Sequence, residues 1–341
     1  RWALVCKVHH CMVDGIAGVG LLTVLLDIVA DPDPVEPEEW SPLPEPGVTQ
    51  KVLGTWAGFT SDLATQAGRA ASALTRPADA GRNVVEAFAG AARLGRALTA
   101  TPALPIDGSI GPHRTWAFSS ASFEDVRAIR RVFGGTVNDV VLTAVTAGYA
   151  ALLRNRSENL DGAVVRTLVP VSTRRDSGAG VPDNRVSLML LELPVEIEDH
   201  VERLAEVRCR MAELKASHMV EVGELATTIG DLAPPMVVGP MSRWLVGLLR
   251  HVPQRSVNTV TTNVPGPQFP LYCLGREMLS YLPYVPITHG LRVGTAILSY
   301  NGRLFFGITG DAASTPDVDV LADATAAAIG ELRGLADSGR D

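Results

Sequence analysis

The sequence has few cysteines, no excess of basic charge and no long apolar run. Its four cysteines form no Cys-x-x-Cys pair, and the histidines are not spaced between them as zinc ligands. We therefore expect reduced thiols in a cytoplasmic protein rather than a disulfide scaffold or a zinc module. The 30 Lys and Arg residues are outnumbered by 37 Asp and Glu residues, and a net charge of −7 disfavours general nucleic-acid binding. No uninterrupted apolar run reaches the ~18 residues that a membrane-spanning helix needs.

Length and composition indicate a folded protein of more than one domain. At about 150 residues per domain, 341 residues correspond to roughly two domains. Hydrophobic residues make up 46% and charged residues 20%, which argues against a mainly disordered chain. The first residue is Arg1, and a strand-like apolar run at residues 2–8 follows at once. Because domains seldom begin inside a buried strand, we expect this chain to lack an N-terminal part.

The first hundred residues change character twice. Residues 31–50 carry six acidic residues, six prolines and no Lys or Arg, a composition that predicts an exposed linker. Residues 51–100 have apolar positions at helical spacing and a net charge of +3. They predict a pair of amphipathic helices packed on the body of the protein. The alternative is a helical segment that lies on an anionic membrane surface.

Beyond residue 113 the pattern is mixed α/β. Asn301-Gly302 separates two strand-like runs and is a strong signal for a two-residue hairpin. Apolar runs and helical periodicity predict the remaining elements. The predicted strands are 114–119, 164–171, 186–193, 257–263, 291–300 and 303–309, and the predicted helices are 123–132, 137–153, 201–218, 244–249 and 318–335.

A His-His-x-x-x-Asp-Gly string lies where the first predicted strand meets a helix. Successive strand side chains face opposite sides, so only one of His9 and His10 can face a given cleft. An imidazole with a pKa near 6.5 can take a proton from a hydroxyl at neutral pH. Asp14 can orient the loop through an ion pair or cap the helix, and Gly15 permits a tight turn.

These residues also have purely structural explanations. Capping is what an Asp at the position of Asp14 commonly does, and the two histidines can be incidental polar residues. A metal site is disfavoured, because adjacent strand histidines diverge. His10 with Asp14 would supply only two ligands where three or four are usual.

The complete string, His9-His10-Cys11-Met12-Val13-Asp14-Gly15, resembles the signature of the CoA-dependent acyltransferase superfamily. That superfamily includes chloramphenicol acetyltransferase and the condensation domains of peptide synthetases. The resemblance implies that His10 is the general base, that Asp14 is chiefly structural, and that His9 and Gly15 complete the motif.

Further segments resemble one family within that superfamily, the bacterial wax ester synthase/diacylglycerol acyltransferases. Gly135–Leu142 contains Asn138 and Asp139 and resembles the Asn-Asp motif of that family. The resemblance runs in order from about residue 1 to 335, and the family's portion before the His-His string, including its Pro-Leu-Trp motif, has no counterpart here. The other matching segments are Val169-Pro-Val-Ser-Thr-Arg174, Asn184-Arg-Val-Ser187, Thr262-Asn263-Val-Pro-Gly-Pro267, Leu298-Ser-Tyr-Asn-Gly-Arg-Leu-Phe-Phe-Gly307 and Asp311.

This resemblance implies an α/β (α+β sandwich) architecture, the two-domain chloramphenicol acetyltransferase-like fold of CoA-dependent acyltransferases, with the first domain incomplete. Residues 1–105 would hold the remnant of the N-terminal domain, with the His-His motif and a helical crossover. Residues 106–341 would form the C-terminal domain, and the active site would lie between the two.

Three of the motif segments allow both structural and functional roles. Thr136 with Asp139 fits a capping box at the start of the helix that follows. Asn138 is either structural or lines the interface between domains. Thr262 and Asn263 end a strand before a Pro/Gly turn. They either stabilise an oxyanion and contact substrate, or satisfy ordinary hydrogen bonds at the strand end.

The implied activity is transfer of a fatty acyl group from acyl-CoA to diacylglycerol or a long-chain alcohol. The product is triacylglycerol or wax ester, and no metal or organic cofactor is expected beyond acyl-CoA as co-substrate. The implied partners are acyl-CoA, a lipid alcohol, and a peripheral membrane or lipid-droplet surface, with the oligomeric state left open. Two alternatives remain: a condensation-type enzyme that uses carrier-bound acyl groups, and a non-catalytic fragment that binds lipid or a partner.

Overall fold

A computed structural model describes most of the C-terminal two thirds of the chain and short stretches before it. His10, Cys11, Asp14, Gly15 and the predicted helices at 51–98 and 244–249 lie outside the described residues, apart from residues 53–54. The described residues are 2–9, 22, 24–33, 41–42, 44–47, 49–50, 53–54, 99–172, 186–216 and 255–339.

The chain divides into two compact units. One consists of Arg1–Pro32, Ala100–Ser217 and Gln254–Asp341, and it contains all the strands and helices named below. The other consists of Asp33–Thr99 and His218–Pro253. In this second unit, the described residues between 41 and 47 are exposed and lack regular structure, as expected for a linker. The division at residue 105 that the sequence indicates stays a prediction.

Among the described residues of the first unit, ten strands and four longer helices are defined, and their positions follow the sequence patterns closely. The strands are β1 (Asp107–Gly108), β2 (Arg114–Ser122), β3 (Val165–Ser172), β4 (Val186–Leu193), β5 (Thr259–Val264), β6 (Tyr272–Cys273), β7 (Arg276–Glu277), β8 (Gly290–Leu291), β9 (Val293–Tyr300) and β10 (Arg303–Asp311). The helices are α1 (Phe123–Phe133), α2 (Val137–Asn155), α3 (His200–Ala216) and α4 (Val318–Ser338).

Six of the strands form one mixed sheet in the order β2-β10-β9-β5-β3-β4. β5 is parallel to both of its neighbours, β3 and β9, whereas the outer pairings are antiparallel. The carboxyl ends of β3, β5 and β9 therefore lie at the same side of the sheet. We call this side the carboxyl edge; it is marked by Ser172, Val264 and Tyr300.

The predicted hairpin between β9 and β10 is confirmed. Asn301 and Gly302 both have positive φ, at 42° and 77°, as a two-residue hairpin turn with the twist of the strands requires. The turn sets the register, in which Tyr300 pairs with Arg303. Successive residues of β10 face opposite sides of the sheet, so that Phe305 and Phe306 enter different cores.

The main core lies between one face of the sheet and the four helices. It contains apolar side chains from all four helices and from the helix-facing positions of the strands, such as Val293, Ile297 and Phe306. α2 is buried along almost its whole length, which accounts for its continuous apolar sequence. The helix begins where it does because Thr136 caps it and no apolar residue precedes it for three positions.

A smaller core covers part of the other face of the sheet. Leu22 and Leu26, one helical turn apart, pack there with Leu298, Tyr300 and Phe305. Asp27 forms an antiparallel bridge to Tyr272, with both backbone hydrogen bonds at 2.8 Å. Of the apolar residues whose helical spacing predicts a helix between 16 and 29, the described Leu22 and Leu26 are buried, whereas Val29 is 50% exposed and not helical.

The prediction of a buried strand at residues 2–8 is wrong. These residues are exposed and have no regular secondary structure, with Val5 89% exposed. A strand needs the hydrogen-bonding groups of a neighbouring strand, and among the described residues none pairs with this segment. β-branched composition alone does not supply that partner.

Within the described ranges, no single helix combines the length and apolar character needed to cross a bilayer. α1 and α2 together meet the length and composition criteria but are bent by 103° at the break between them.

Candidate functional site

Four of the sequence segments singled out above meet at the carboxyl edge. β3 and β5 are parallel and pair at Thr167 and Thr259, so the segments that end them lie side by side. β9 is parallel to β5 and leads into the Asn301-Gly302 turn at the same edge. The start of α2 is held there by a hydrogen bond to β5, described next. Segments more than 100 residues apart in sequence therefore contribute to one site.

The carboxamides of Asn138 and Asn263 are hydrogen-bonded to each other. Asn263 Nδ2 donates to Asn138 Oδ1 over 3.1 Å, and both residues are half-buried. Asn263 is the penultimate residue of β5, and Asn138 is the second residue of α2. This pair joins the two motifs that the sequence placed 125 positions apart.

The capping box predicted from Thr136 and Asp139 is present. Thr136 Oγ1 accepts from the Asp139 backbone N–H over 3.2 Å, and Asp139 Oδ2 accepts from the Thr136 backbone N–H over 2.8 Å. Asp139 is buried, and among the described residues its second oxygen, Oδ1, has no hydrogen-bond partner. Gly134 and Gly135 precede the box with φ of 78° and 87°, a conformation that disfavours side chains.

A row of hydroxyls fixes α2 against β5 beneath this pair. The Tyr149 hydroxyl oxygen lies 2.5 Å from Thr259 Oγ1 and 3.1 Å from Thr295 Oγ1. Since Thr259 donates its own proton to the Val293 carbonyl, Tyr149 donates to Thr259 and accepts from Thr295. Two residues further along β5, the Thr261 hydroxyl lies 2.8 Å from the Thr167 hydroxyl of β3.

The helix-facing side of β5 is therefore polar throughout, with Thr259, Thr261 and Asn263 at alternate positions. Full burial raises the pKa of Tyr149 to about 12, so its hydroxyl stays protonated and keeps these bonds at neutral pH. Sequence reasoning did not find this row, although the alternating polar residues of Thr-Val-Thr-Thr-Asn were its visible signal.

Thr262 and Asn263 do not point the same way. Neighbouring strand residues face opposite sides of a sheet, and Asn263 faces α2, so Thr262 faces the other side. The turn that follows is held on the β9–β10 hairpin. The Gly266 backbone N–H donates to Ser299 Oγ over 3.1 Å, and the Asn301 N–H donates to the Pro267 carbonyl over 3.0 Å.

Of the His-His string the structure describes only His9, which is exposed and lies in the irregular segment 2–9. His10, Asp14 and Gly15 are outside the described residues, so their assigned roles stay predictions. Across the ranges that the structure does describe, no group of three or more His, Cys, Asp or Glu residues is arranged to hold a metal ion.

Asp311, which ends β10, is buried beside the start of β2. It accepts hydrogen bonds from the Gly111 backbone N–H at 2.6 Å and from the backbone N–H and hydroxyl of Ser314 at 2.9 and 2.7 Å. Arg114 Nη1 lies 3.7 Å from its carboxylate. These hydrogen bonds, with Ser314 foremost, hold the pKa of Asp311 below its ordinary value despite burial.

The fold has a counterpart among solved structures. The structure matches a solved wax ester synthase/diacylglycerol acyltransferase from Marinobacter aquaeolei VT8 with a TM-score of 0.62 at 21% identity. The match covers 97% of this chain and 67% of that one. The predicted fold class is thereby confirmed.

The sequence relatives identify the family. Residues 1–141 match the wax ester synthase/diacylglycerol acyltransferase catalytic domain, and residues 183–333 match the WS/DGAT C-terminal domain. A putative diacylglycerol O-acyltransferase of Mycobacterium bovis and a probable one of Mycobacterium tuberculosis are each 37% identical over 339 residues. These matches cover 99% of this chain and 67% of each relative. The chain therefore belongs to the wax ester synthase/diacylglycerol acyltransferase family, and it spans about two thirds of the length of these relatives.

Proposed function

We propose that this chain transfers a fatty acyl group from acyl-CoA to the hydroxyl of diacylglycerol or a long-chain alcohol, which gives triacylglycerol or wax ester. The observation that carries the proposal is 37% identity, over 99% of the chain, to relatives named diacylglycerol O-acyltransferases. The meeting of the motif segments at the carboxyl edge supports it, because ligands of open α/β sheets commonly bind at that edge.

His10 is the general base in this proposal. It takes the proton of the acceptor hydroxyl as that oxygen attacks the thioester carbonyl, and hydrogen-bond donors stabilise the tetrahedral oxyanion. When the intermediate collapses, the carbon–sulfur bond breaks and the imidazolium returns the proton to the CoA thiolate. Asp14 holds the loop, with His9 and Gly15 as the rest of the motif. The chemistry needs no covalent acyl-enzyme and no metal or organic cofactor beyond acyl-CoA.

Thr262 and Asn263 are candidate contacts for the oxyanion or the substrate. Because they face opposite sides of β5, they serve different groups if both make contact. Asn263 keeps one N–H hydrogen beyond the one that Asn138 accepts.

We also propose that the chain is cytoplasmic and makes peripheral contact with a membrane or lipid-droplet surface. Its lipid alcohol substrates are found at such surfaces. Apolar side chains near residue 27 support this: Val24, Leu25 and Ile28 are 81%, 58% and 64% exposed. Leu274, at the nearby β6–β7 turn, is 91% exposed. Leu25→Glu with Leu274→Glu should reduce flotation with anionic phospholipid vesicles, whereas Leu335→Glu, at an exposed leucine of α4, should not. Equal flotation of all three proteins would refute this surface.

The activity is tested with purified chain, palmitoyl-CoA and either dioleoylglycerol or hexadecanol. Formation of triacylglycerol or wax ester together with free CoA thiol supports the proposal, and the better acceptor defines the specificity. Transfer only from a carrier-bound acyl group would indicate the condensation-type alternative. Binding of lipid without transfer from any donor would indicate a non-catalytic protein.

A further inference from the structure

We propose that the Asn138–Asn263 pair binds the pantetheine arm of the acyl-CoA donor. The two side chains would hydrogen-bond to a carbonyl and to an N–H group of the amides in that arm. This inference rests on the proposed acyl-CoA-dependent function and assigns a part of the substrate to named side chains. The pair has donor and acceptor groups that its internal hydrogen bond does not use.

Each carboxamide has two donor hydrogens and one acceptor oxygen. The bond from Asn263 Nδ2 to Asn138 Oδ1 is the one side-chain hydrogen bond of either residue in the described part of the chain. The Asn138 amino group, the Asn263 carbonyl oxygen and the second Asn263 N–H therefore remain available. Both side chains are half-buried, in contrast to the buried Asp139 close by, so the pair is partly open to solvent.

The pair offers the same kinds of hydrogen-bonding group in either orientation of the two amides. If both carboxamides turn by 180°, Asn138 becomes the donor and Asn263 the acceptor of their shared bond. The pair then offers the Asn138 oxygen and the Asn263 amino group. In either arrangement it presents a donor and an acceptor, carried by an uncharged unit.

The pair is also held in place before any ligand arrives. The capping box fixes the start of α2, and Tyr149 bonds the same helix to β5 and β9 through Thr259 and Thr295. Both carboxamides thus project from elements whose relative position is set by buried hydrogen bonds. A preorganised pair loses little conformational entropy when it binds.

The pantetheine arm has groups that are complementary to this donor and acceptor. It is uncharged, it carries two secondary amides, and it lies between the nucleotide and the reacting thioester. Fatty chains provide neither a donor nor an acceptor, and the hydroxyl of the acceptor alcohol must face the general base. An amide carbonyl of the arm can accept from the pair while an amide N–H of the arm donates to it.

Asn138→Asp tests this without removing the internal bond. The carboxylate still accepts from Asn263 Nδ2, but the two donor hydrogens of the Asn138 amino group are lost. An acidic residue at the second position of a helix is favourable, so the fold should be kept. Asn159→Ala is the matched control, since it removes a carboxamide from an exposed loop beyond the far end of α2.

The kinetic test compares palmitoyl-CoA with S-ethyl thiopalmitate, a thioester without amides, using hexadecanol as acceptor. Asn138→Asp should lower kcat/KM for palmitoyl-CoA about tenfold and leave the ethyl thioester unchanged, the size expected for loss of a hydrogen bond to the ligand. Asn159→Ala should change neither. An equal loss with both donors would overturn the inference and indicate a role at the reacting carbonyl. No loss with either donor would overturn it as well.

A binding measurement separates failure of this inference from failure of the proposed function. If no donor is turned over, the proposed function fails, and titration calorimetry with CoA decides the inference. About tenfold weaker CoA binding by Asn138→Asp, with unchanged binding of adenosine 3′,5′-bisphosphate, would support it. Equal CoA affinity of variant and wild type, or no CoA binding at all, would overturn it.

Discussion

Asn258 Nδ2 donates to both carboxylate oxygens of Asp107, over 2.9 and 3.0 Å. The same amide donates to Thr101 Oγ1 at 3.1 Å, and its carbonyl accepts from the Arg166 backbone N–H at 2.7 Å. One fully buried side chain thus ties the segment at residues 101–107 to β3 and to the start of β5. Burial raises the pKa of Asp107, and the bonds from Asn258 and the Leu104 backbone oppose that rise.

Replacing Asn258 should destabilise the fold in two distinguishable ways. Asn258→Ala leaves the Arg166 N–H and Asp107 without these partners, which should cost about 1–3 kcal/mol of unfolding free energy. Asn258→Asp adds a second carboxylate beside Asp107, so it should cost more at pH 7 and recover as acid protonates one of the two. Urea unfolding at pH 7 and at acidic pH measures this, with Asn159→Ala as control. Wild-type stability of Asn258→Asp at pH 7 would contradict the expected repulsion.

Asp311 should make stability depend on acid. Its pKa is lowered in the folded chain, so the ionised carboxylate stabilises the fold fully above the ordinary Asp pKa of about 3.9. This contribution is lost as the pH falls through the lower pKa of the folded state. Asp311→Asn should therefore be less stable at neutral pH and show a flatter acid limb in unfolding free energy against pH. Parallel acid limbs for variant and wild type would assign the dependence to other groups.

The Pro-Gly-Pro turn should admit no side chain at its centre. A Cβ on Gly266 would lie 2.2 Å from the Ser299 carbonyl oxygen, a backbone atom that cannot move without the hairpin. We expect Gly266→Ala to lower the unfolding free energy by about 1–3 kcal/mol. Gly330→Ala, in α4 with nothing within 4 Å, should instead raise it by about 0.5–1 kcal/mol. Thermal unfolding compares the two, and a harmless Gly266→Ala would show that the turn can shift.

The two histidines of the motif should differ in their effect on turnover. As general base, His10 should be nearly irreplaceable, and His10→Ala should lower kcat by about 10²–10⁴-fold with folding kept. His9→Ala should cost much less. The measurement is palmitoyl transfer to hexadecanol, with circular dichroism as the folding control. If His9→Ala abolished turnover while His10→Ala kept it, the base would be His9.

Asp14 should act through structure. If it caps the helix or braces the loop, Asp14→Ala should cost about 0.5–2 kcal/mol, whereas Asp14→Asn can still cap and should retain more stability. Unfolding free energies and turnover of both variants test this. Full stability and activity in both would remove Asp14 from the proposed mechanism.

Local sequence patterns were enough to predict most strands and helices of the first unit. β4 lies at 186–193 as predicted, and the hairpin turn at 301–302 is correct, because apolar runs and turn residues act over a few positions. The predicted strand at residues 2–8 failed because pairing requires a partner that no local pattern reveals. β2 extends to Ser122, three residues past its predicted end, since pairing with Arg303 of β10 sustains it.

The candidate site was predictable in its parts and not in its assembly. Thr136 and Asp139 were recognisable as a capping box because that motif spans four residues. The Asn138–Asn263 bond depends on β5 lying parallel beside β3 under the start of α2, which the strand order decides. The hydroxyl partners of Tyr149 were hidden for the same reason, because Thr259 and Thr295 lie 110 and 146 positions away.

The edge position of β2 has a consequence for biosynthesis. Among the described strands β2 pairs with β10 alone, and Arg303 donates a hydrogen bond to Ser120, 183 positions earlier in the chain. At about 5–20 residues per second, a ribosome needs on the order of 10–40 s to deliver that partner. For this time the nascent β2, which carries Trp116 and Phe118, lacks β10, its partner in the described sheet. Chaperone capture of the growing chain would thus fall in the interval between synthesis of β2 and of β10.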